Sequence, residues 1–517
     1  MDIQISNFKV PVNQQADLKK ICCQRYHLSE NEIDDFKILR SSIDARKKSQ
    51  IVYDYRFYLK LKTEKADLLH HPDITLYEKP EPMHYPRWPH VLPPVIVGFG
   101  PAGMFAALYL ARCQANPIVI ERGSCIENRK KEVEDFLQRK NLNENSNIQF
   151  GEGGAGAFSD GKLTTNLHNP LIQFVLDEFY KHGATEDVTY MSNPHVGTDY
   201  LEKVVKNIRE EIISLGGKIF FNTRFLDFRP NKDHIKVFCD NNLEFETQHL
   251  LLGIGHSARD TMRHLFQKGI PMEAKPFSMG VRVEHPQKQI DEMQYGRFAK
   301  YLPAASYKTA IHLKNRSVYS FCVCPGGEVM ASTSEKNSIV TNGMSRKKRA
   351  GQNANGAILV NVNPEDFYKT SPLDGLDYQE KYERLAFEIA KDYRAPANLM
   401  KEFLQGTIAQ KTRSVTPSYP HGVIYCDFNR CLPAFVVKSL KEALPLIDRK
   451  LNGFCHADAV LTGIETRSSS PVRILRNEQR ESPVKNLYPI GEGAGYAGGI
   501  TSAAIDGLKT AIHCAEN

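Results

Sequence analysis

The sequence predicts an α/β protein: a parallel-sheet domain interrupted by an inserted mixed α+β domain and preceded by a small α/β lobe. Three observations predict this. From Val95 the chain reads as a short apolar strand ending in VGFG, a helix PAGMFAALYLARC and a second apolar strand NPIVIERG, which is a βαβ unit. Its last segment, LYPIGEGAGYAGGITSAAIDGL, repeats strand, glycine-rich turn and helix, as a segment returning to the same sheet would. Between the two, strands, loops and one clear helix near DYQEKYERLAFEIAKDY follow one another with no second glycine fingerprint.

Taken in order, residues 1–75 form the lobe. The alternating stretch IQISNFKVPV, a helix near DLKKICCQRYHL, and the strand-like DFKILRSSIDA and IVYDYRFYLKL give it an α/β pattern. Residues 76–93 are a linker, because closely spaced prolines, the last of them Pro86, Pro89 and Pro93, disfavour helix and regular strand. Residues 94–274 are the first part of the parallel-sheet domain. Within it YLEKVVKNIREEIISLGG reads as a helix stopped at Gly216 and Gly217, and IKVFCDNNLEFET as a hairpin around Asp240 to Asn242. Residues 275–470 are the inserted domain, placed to cover a substrate, and residues 471–517 are the return segment.

Composition narrows the function classes. The 517 residues carry a net charge of +7, with 25% charged and 41% hydrophobic residues, and no apolar run approaches the ~20 residues of a membrane-spanning helix. The first residues, MDIQISNFKVPV, lack the basic and apolar pattern of a secretory leader, so a cytoplasmic protein with no membrane partner is expected. Eleven cysteines, odd in number and scattered, argue against a disulfide framework or a zinc site, and no metal is expected. Cys22 and Cys23 read as small core hydrophobes. The basic run Arg346, Lys347, Lys348, Arg349 reads as a solvated loop.

Gly98, Gly100 and Gly103, with Pro101 and Ala102 between them, form G-x-G-x-x-G between a strand and a helix, the context this dinucleotide fingerprint of Rossmann-type domains requires. Gly98 permits the tight turn, Gly100 lets backbone approach a pyrophosphate, and Gly103 allows close helix-to-strand packing. The helix start then offers free N–H groups and its positive dipole end to the diphosphate. Glu121, at the end of the second strand, is placed to accept hydrogen bonds from ribose hydroxyls and to repel a 2′-phosphate. The site therefore suits FAD or NAD rather than NADP, with Arg122 beside it.

Three further segments bear on the choice between FAD and NAD. In FGEGGAGAFSDGKLTTN the backbone at Gly153, Gly154, Ala155 and Gly156 can come close to a ligand, and Ser159 and Lys162 add polar groups. In LLLGIGHSARD a strand stops at Gly253 and Gly255, followed by His256. In the return segment, Gly491 and Glu492 precede a helix start at Gly498, Gly499 and Ile500, which would aim its N-terminus at a flavin ring that gains negative charge on reduction. These pieces resemble those by which glutathione-reductase-type flavoproteins wrap an extended FAD, with Glu492 where that fold has an aspartate on the ribityl chain. Together with MGVRVEHPQ, FCVCPGGEV and NGMSRKKRAGQNANGAILV, they make the chain similar to a widespread bacterial family of FAD-dependent dehydrogenases. The likeness covers nearly the whole chain and implies an FAD-bound oxidoreductase.

For the reaction itself the candidates are Arg467, Glu465 and Cys324. Arg467 would anchor an anionic group of the substrate, or else merely pair with Glu465. Cys322 and Cys324 are two apart, which on a regular strand puts both on one face, and Cys324 beside the Pro325-Gly326-Gly327 turn would approach the flavin. The cysteine pair of a flavin disulfide reductase is absent after Glu121, so that branch is not expected. The leading expectation is a dehydrogenase or reductase acting on a small organic substrate, with NAD(P)H as a transient electron donor. The alternatives are a flavin monooxygenase, and a flavoprotein acting on RNA through Lys37, Arg40, Arg46, Lys47, Lys48, Tyr53, Tyr55 and Arg56 of the lobe.

Overall fold

The structure, a computed structural model, describes residues 1–14 and 17–517. Its first strands, Asp2–Pro11, Ile33–Asp44, Val52–Leu61 and Ile74–Leu76, form an antiparallel sheet in which 52–61 and 74–76 flank 2–11, and 33–44 lies outside 52–61. The helix Leu18–Arg25 begins where the Asp17 carboxylate accepts from Lys20 N at 3.1 Å, an ordinary N-cap. Its Cys22 and Cys23 are buried among Ile3, Ile5, Phe8 and Phe57, as small apolar side chains.

This lobe is tied to the rest of the chain by backbone. Ser41 N donates to Tyr190 O and Ser192 N to Ser41 O, both at 2.8 Å, while Lys48 Nζ reaches Met293 O and Arg297 reaches Ser49 O. Arg40 donates to Ser192 Oγ, Arg46 is held by Asp44, and Tyr53 and Tyr55 stack with Tyr55 on Phe57. Much of the basic and aromatic surface considered for RNA therefore has partners within this chain. The proline-rich segment that follows is extended and lies on the helix Pro101–Arg112: Tyr109 Oη donates to His84 O, and Trp88 N to Cys113 O.

The main body is a five-stranded sheet, entirely parallel, in the order 487–489, 250–252, 95–97, 118–120, 218–220. Its strands Val95–Val97 and Leu250–Leu252 are buried on every residue, as expected of a sheet covered on both faces. The helices Pro101–Arg112 and Ile500–Glu516 pack together so tightly that a Cβ on Gly507 would come 2.0 Å from Ala102 O. The predicted hairpin is present as strands Ile235–Cys239 and Glu244–Thr247, with Asn241 and Asn242 at positive φ in the turn.

The inserted region forms a second, seven-stranded sheet: Ala310–His312, Ser317–Cys324, Asn353–Val362, Phe277–Pro286, Val460–Glu465, Ala395–Leu399 and Val423–Tyr425, in that order. Its core includes Val281, Val283, Ile358, Val360 and the helix Ala434–Lys450. That helix is a second long one in a region where one was expected; it runs through Pro445, the residue that argues against helix in the sequence. Chain passes between body and insert at one place, where Met272–Ala274 pairs antiparallel with Val472–Ile474. No helix among the described residues is long and apolar enough to cross a membrane.

Candidate functional site

A cavity of 340 Å³ lies between the ends of the parallel strands and the inserted sheet. Its floor is the bend after Val97. Gly98 N donates to Ile120 O at 2.7 Å and Gly98 takes φ +93°, while a Cβ there would stand 2.2 Å from Gly253 O. Gly103 has the packing role expected of it, since its Cβ would come 1.9 Å from Gly98 O. Gly100 ends the bend and Pro101 occupies the first helical turn, where its missing N–H is harmless. Pro101 and Ala102 line the cavity.

Glu121 is buried at the cavity wall and its carboxylate joins three loops. Oε2 accepts from Phe99 N at 2.8 Å; Oε1 accepts from Gly123 N and Gly151 N, each at 2.9 Å. The sequence foresees its position but not this bracing of both glycine loops. Arg122 beside it is held by Asp260 at 2.9 Å and lies over Phe150.

The second glycine loop faces the first. Gly154 takes φ +59°, and a Cβ on it would stand 3.0 Å from Gly100 Cα, so neither loop has room for a side chain between them. Ala155, Gly156, Ser159 and Lys162 line the same cavity, whereas Gly153 is directed away, against Val205. The Ser159 hydroxyl closes its own turn, donating to Gly156 O at 2.7 Å and accepting from Gly161 N at 3.0 Å. The Lys162 ammonium lies 3.3 Å from Asp160 and donates to Val323 O. Asp160 in turn holds Arg349 at 2.6 Å, and Lys347 is clamped by Asp187 at 2.7 Å. The run 346–349 is thus not simply solvated: its alternate residues turn inward to buried or half-buried carboxylates.

Gly253, Gly255 and His256 line the opposite wall. Burial, with Arg467 and Arg259 nearby, lowers the His256 pKa to about 3, so its imidazole is neutral. Gly491, Glu492, Gly498, Gly499 and Ile500 complete the wall. A Cβ on Gly498 or Gly499 would meet nothing within 4 Å, which places both at open space before the helix Ile500–Glu516. Asp506, which the sequence does not single out, secures this corner: it accepts from Gly491 N at 2.8 Å and from Arg476 and Arg480 at 2.7 and 2.6 Å.

Burial pushes the Glu492 carboxyl up to about 7, against the pull of Gly499 N–H and Lys275. Its folded value stands above the ordinary 4.5, so the protonated form is favoured by folding. The stability it contributes is full below about pH 4.5 and is lost as pH rises to about 7. Glu492→Gln should flatten that limb, read as a smaller change in urea midpoint between those two pH values. An unchanged limb would show that Glu492 is not the titrating group.

Of the three residues expected to act, only Arg467 reaches the cavity. It does not pair with Glu465. Its guanidinium clasps Glu383 at 3.0 and 2.7 Å and donates to Ser257 and Ser334, so its donors face protein acceptors. Glu465 is buried behind the wall in a two-point pair with Arg282, at 2.5 and 3.0 Å. Cys324 is fully buried, and Cys322 is the thiol-bearing residue in the cavity wall, with Asn342. The strand alternation fails here because pairing with 353–362 slips between Phe321 and Cys324, and Cys322 takes φ +42°. A bulge of this kind has no marker in FCVCPGG.

Residues 276–468 match a family described as FAD-dependent protein, C-terminal domain-like, and residues 2–59 match a domain of unknown function. A protein of Clostridium beijerinckii, described as uncharacterized, is 45% identical over 527 residues, covering 100% of this chain and 99% of its own. Among solved structures, CtdE in complex with FAD is 12% identical, with 82% of this chain and 84% of that one covered and a TM-score of 0.32. The halogenase PltM in complex with phloroglucinol and FAD is 10% identical, with 81% and 67% covered and a TM-score of 0.34. The residues of the cavity fit FAD: two apposed glycine loops leave backbone bare toward a diphosphate, and two helix N-termini open on the same space.

Proposed function

We propose a function from one premise: this chain belongs to the family of the Clostridium beijerinckii protein, carries an FAD-dependent protein domain, and has FAD as its cofactor. On that premise it is an FAD-dependent oxidoreductase, a dehydrogenase or reductase that passes electrons between a small organic substrate and FAD, with NAD(P)H as the outside donor. The observation that carries this reading is the single cavity shared by the Gly98 bend, the start of the last helix and the inserted sheet. A cofactor gripped by the first two faces a substrate admitted beside the third.

In this reading the parallel-sheet body is a Rossmann-type domain of glutathione-reductase kind. The N–H groups after Gly100 and the bare backbone at Gly154 hold the diphosphate, Glu121 and Arg122 flank the adenosine side, and Gly491, Glu492 and the start of the helix at Ile500 hold the flavin side. Bound FAD supplies hydride or electron transfer. The chain's own groups do the rest. The helix dipole at Ile500 favours negative charge at its N-terminus. Neutral His256 and the Ser257 hydroxyl, with their hydrogen bond of 3.0 Å, offer polar contacts beside Arg467. Lys162 supplies a cation on the insert side of the cavity.

The purified protein is expected to be yellow and to release a chromophore with the mass of FAD. Anaerobic NADH or NADPH should then bleach the visible band. Bound FAD that neither nicotinamide reduces would remove NAD(P)H as donor, and a colourless protein that takes up no FAD would remove the whole reading.

A further inference from the structure

Cys322 and Cys324 sit where the inserted sheet meets the cavity. Two residues of extended strand span about 6.6 Å, near the upper end of the Cα separation a disulfide tolerates. At the bulge the regular alternation is broken, and the Cys324 thiol donates to Cys322 O at 3.3 Å. Neither is in a disulfide. The pair is ringed by cations. Arg282 donates to Cys322 O at 2.8 Å and its Nη1 lies 4.0 Å from Cys324 Sγ, while Lys162 donates to the carbonyl of Val323 between them. Gly343 keeps this corner open, since a Cβ on it would stand 2.8 Å from Cys324 Sγ.

The neighbouring Cys324 thiol draws the Cys322 thiol well below its ordinary value, and the cations of Lys162 and Arg282 act the same way against burial. Cys322 and burial raise Cys324 in turn. A thiol of lowered pKa at the cavity wall, beside a second thiol and two cations, is the arrangement from which a thiol pair oxidises. Most of the other cysteines among the described residues are buried, and none lines this cavity.

We propose that Cys322 and Cys324 are a second redox centre of this protein, a dithiol that closes to a disulfide and exchanges its electrons with the FAD of the same cavity. In the oxidising direction the Cys322 S–H and Cys324 S–H bonds break, one S–S bond forms, and two electrons and two protons pass to oxidised FAD. The reverse step opens the disulfide and returns the electrons. The proposal rests on FAD occupying this cavity. It also differs from the flavin disulfide reductase pattern, because the pair comes from the inserted sheet and not from the helix region after Glu121.

The test is an anaerobic dithionite titration of the air-oxidised holoprotein. The wild type should take up about four electrons per FAD, two for the flavin and two for the disulfide, and Cys324→Ser about two. A second readout needs no activity. Trypsin releases Ser317–Lys336, which holds both thiols and no other cysteine. After alkylation this peptide should be unmodified and two hydrogens lighter from oxidised protein, and doubly alkylated from reduced protein. Bound FAD with an uptake of only two electrons in the wild type, or a peptide alkylated twice in both states, overturns the proposal. If Cys324→Ser does not fold, the wild-type titration and the peptide still decide. Absence of FAD in the purified protein is a separate result, which strikes the cofactor reading.

Discussion

Replacing Glu383 by alanine should destabilise the protein by about 3–5 kcal/mol, because it takes the fully buried counter-charge from two buried guanidiniums and leaves them only the more exposed Glu335. Glu383 is fully buried on the helix Asp374–Ala390 of the insert. It binds Arg259 of the body at 2.8 and 3.0 Å and Arg467 at 2.7 and 3.0 Å, and accepts from Thr466 Oγ1 at 2.7 Å. Burial alone would raise its carboxyl; the two arginines overcome this and hold it well below the usual carboxylate range. Its contribution is therefore present above the ordinary value of 4.5 and is lost as pH falls through the folded value. Urea unfolding at neutral pH would measure the effect as a shift in midpoint at constant slope. Glu380→Gln on the same helix, which removes a more exposed carboxylate, should cost less than about 1 kcal/mol. Equal losses in the two variants would show that the buried cluster contributes no more than a surface pair.

The second large effect is on the cofactor. Gly98→Ala should yield protein purified without FAD, since the new Cβ would stand 2.2 Å from Gly253 O, and neither backbone can retreat. Gly98 N is bound to Ile120 O at 2.7 Å and Gly253 N to Val97 O at 2.8 Å, which ties both residues to the strand ends. The left-handed backbone alone adds about 1–3 kcal/mol of strain for a residue with a side chain. Gly269→Ala separates the two causes: Gly269 has φ +81° but a Cβ there meets nothing within 4 Å. It should keep its FAD at nearly the normal ratio of visible to ultraviolet absorbance. If Gly98→Ala does so as well, the bend is not the diphosphate grip.

The βαβ unit was legible because its signals are local. A strand, three glycines at fixed spacing and a helix lie within a few consecutive turns, and Gly98 and Gly103 answer to contacts close by in the chain or across one strand, whereas Gly100 faces the distant Gly154. The glycine loop at 151–156 and the return at 491–500 were legible for the same reason, though Gly153 turned out to support Val205 rather than the cavity. What escaped depends on partners far apart in sequence. Glu383 and Arg467 are brought together only when the helix 374–390 packs beside the strand Val460–Glu465, so Arg467 was matched with the nearer Glu465. Asp506 looks like one polar residue of an apolar helix until Arg476, Arg480 and Gly491 N converge on it. Cys322 escaped because alternation assumes an unbroken ladder, and the slip between Phe321 and Cys324 is set by pairing with residues 353–362.

The narrow ribbon of 272–274 against 472–474 has a consequence for how such a protein can change. Entry and exit of the insert are side by side, with Glu273 opposite Arg473, so everything between them is suspended from two adjacent threads. A foreign sheet spliced at these threads would enter the chain without breaking the order of the five parallel strands, and transplantation rather than gradual substitution becomes a route to a new specificity. Any graft must still meet the buried charges of the body: an acid for Arg259, or that arginine is stranded in the interior, and a cation for Asp160.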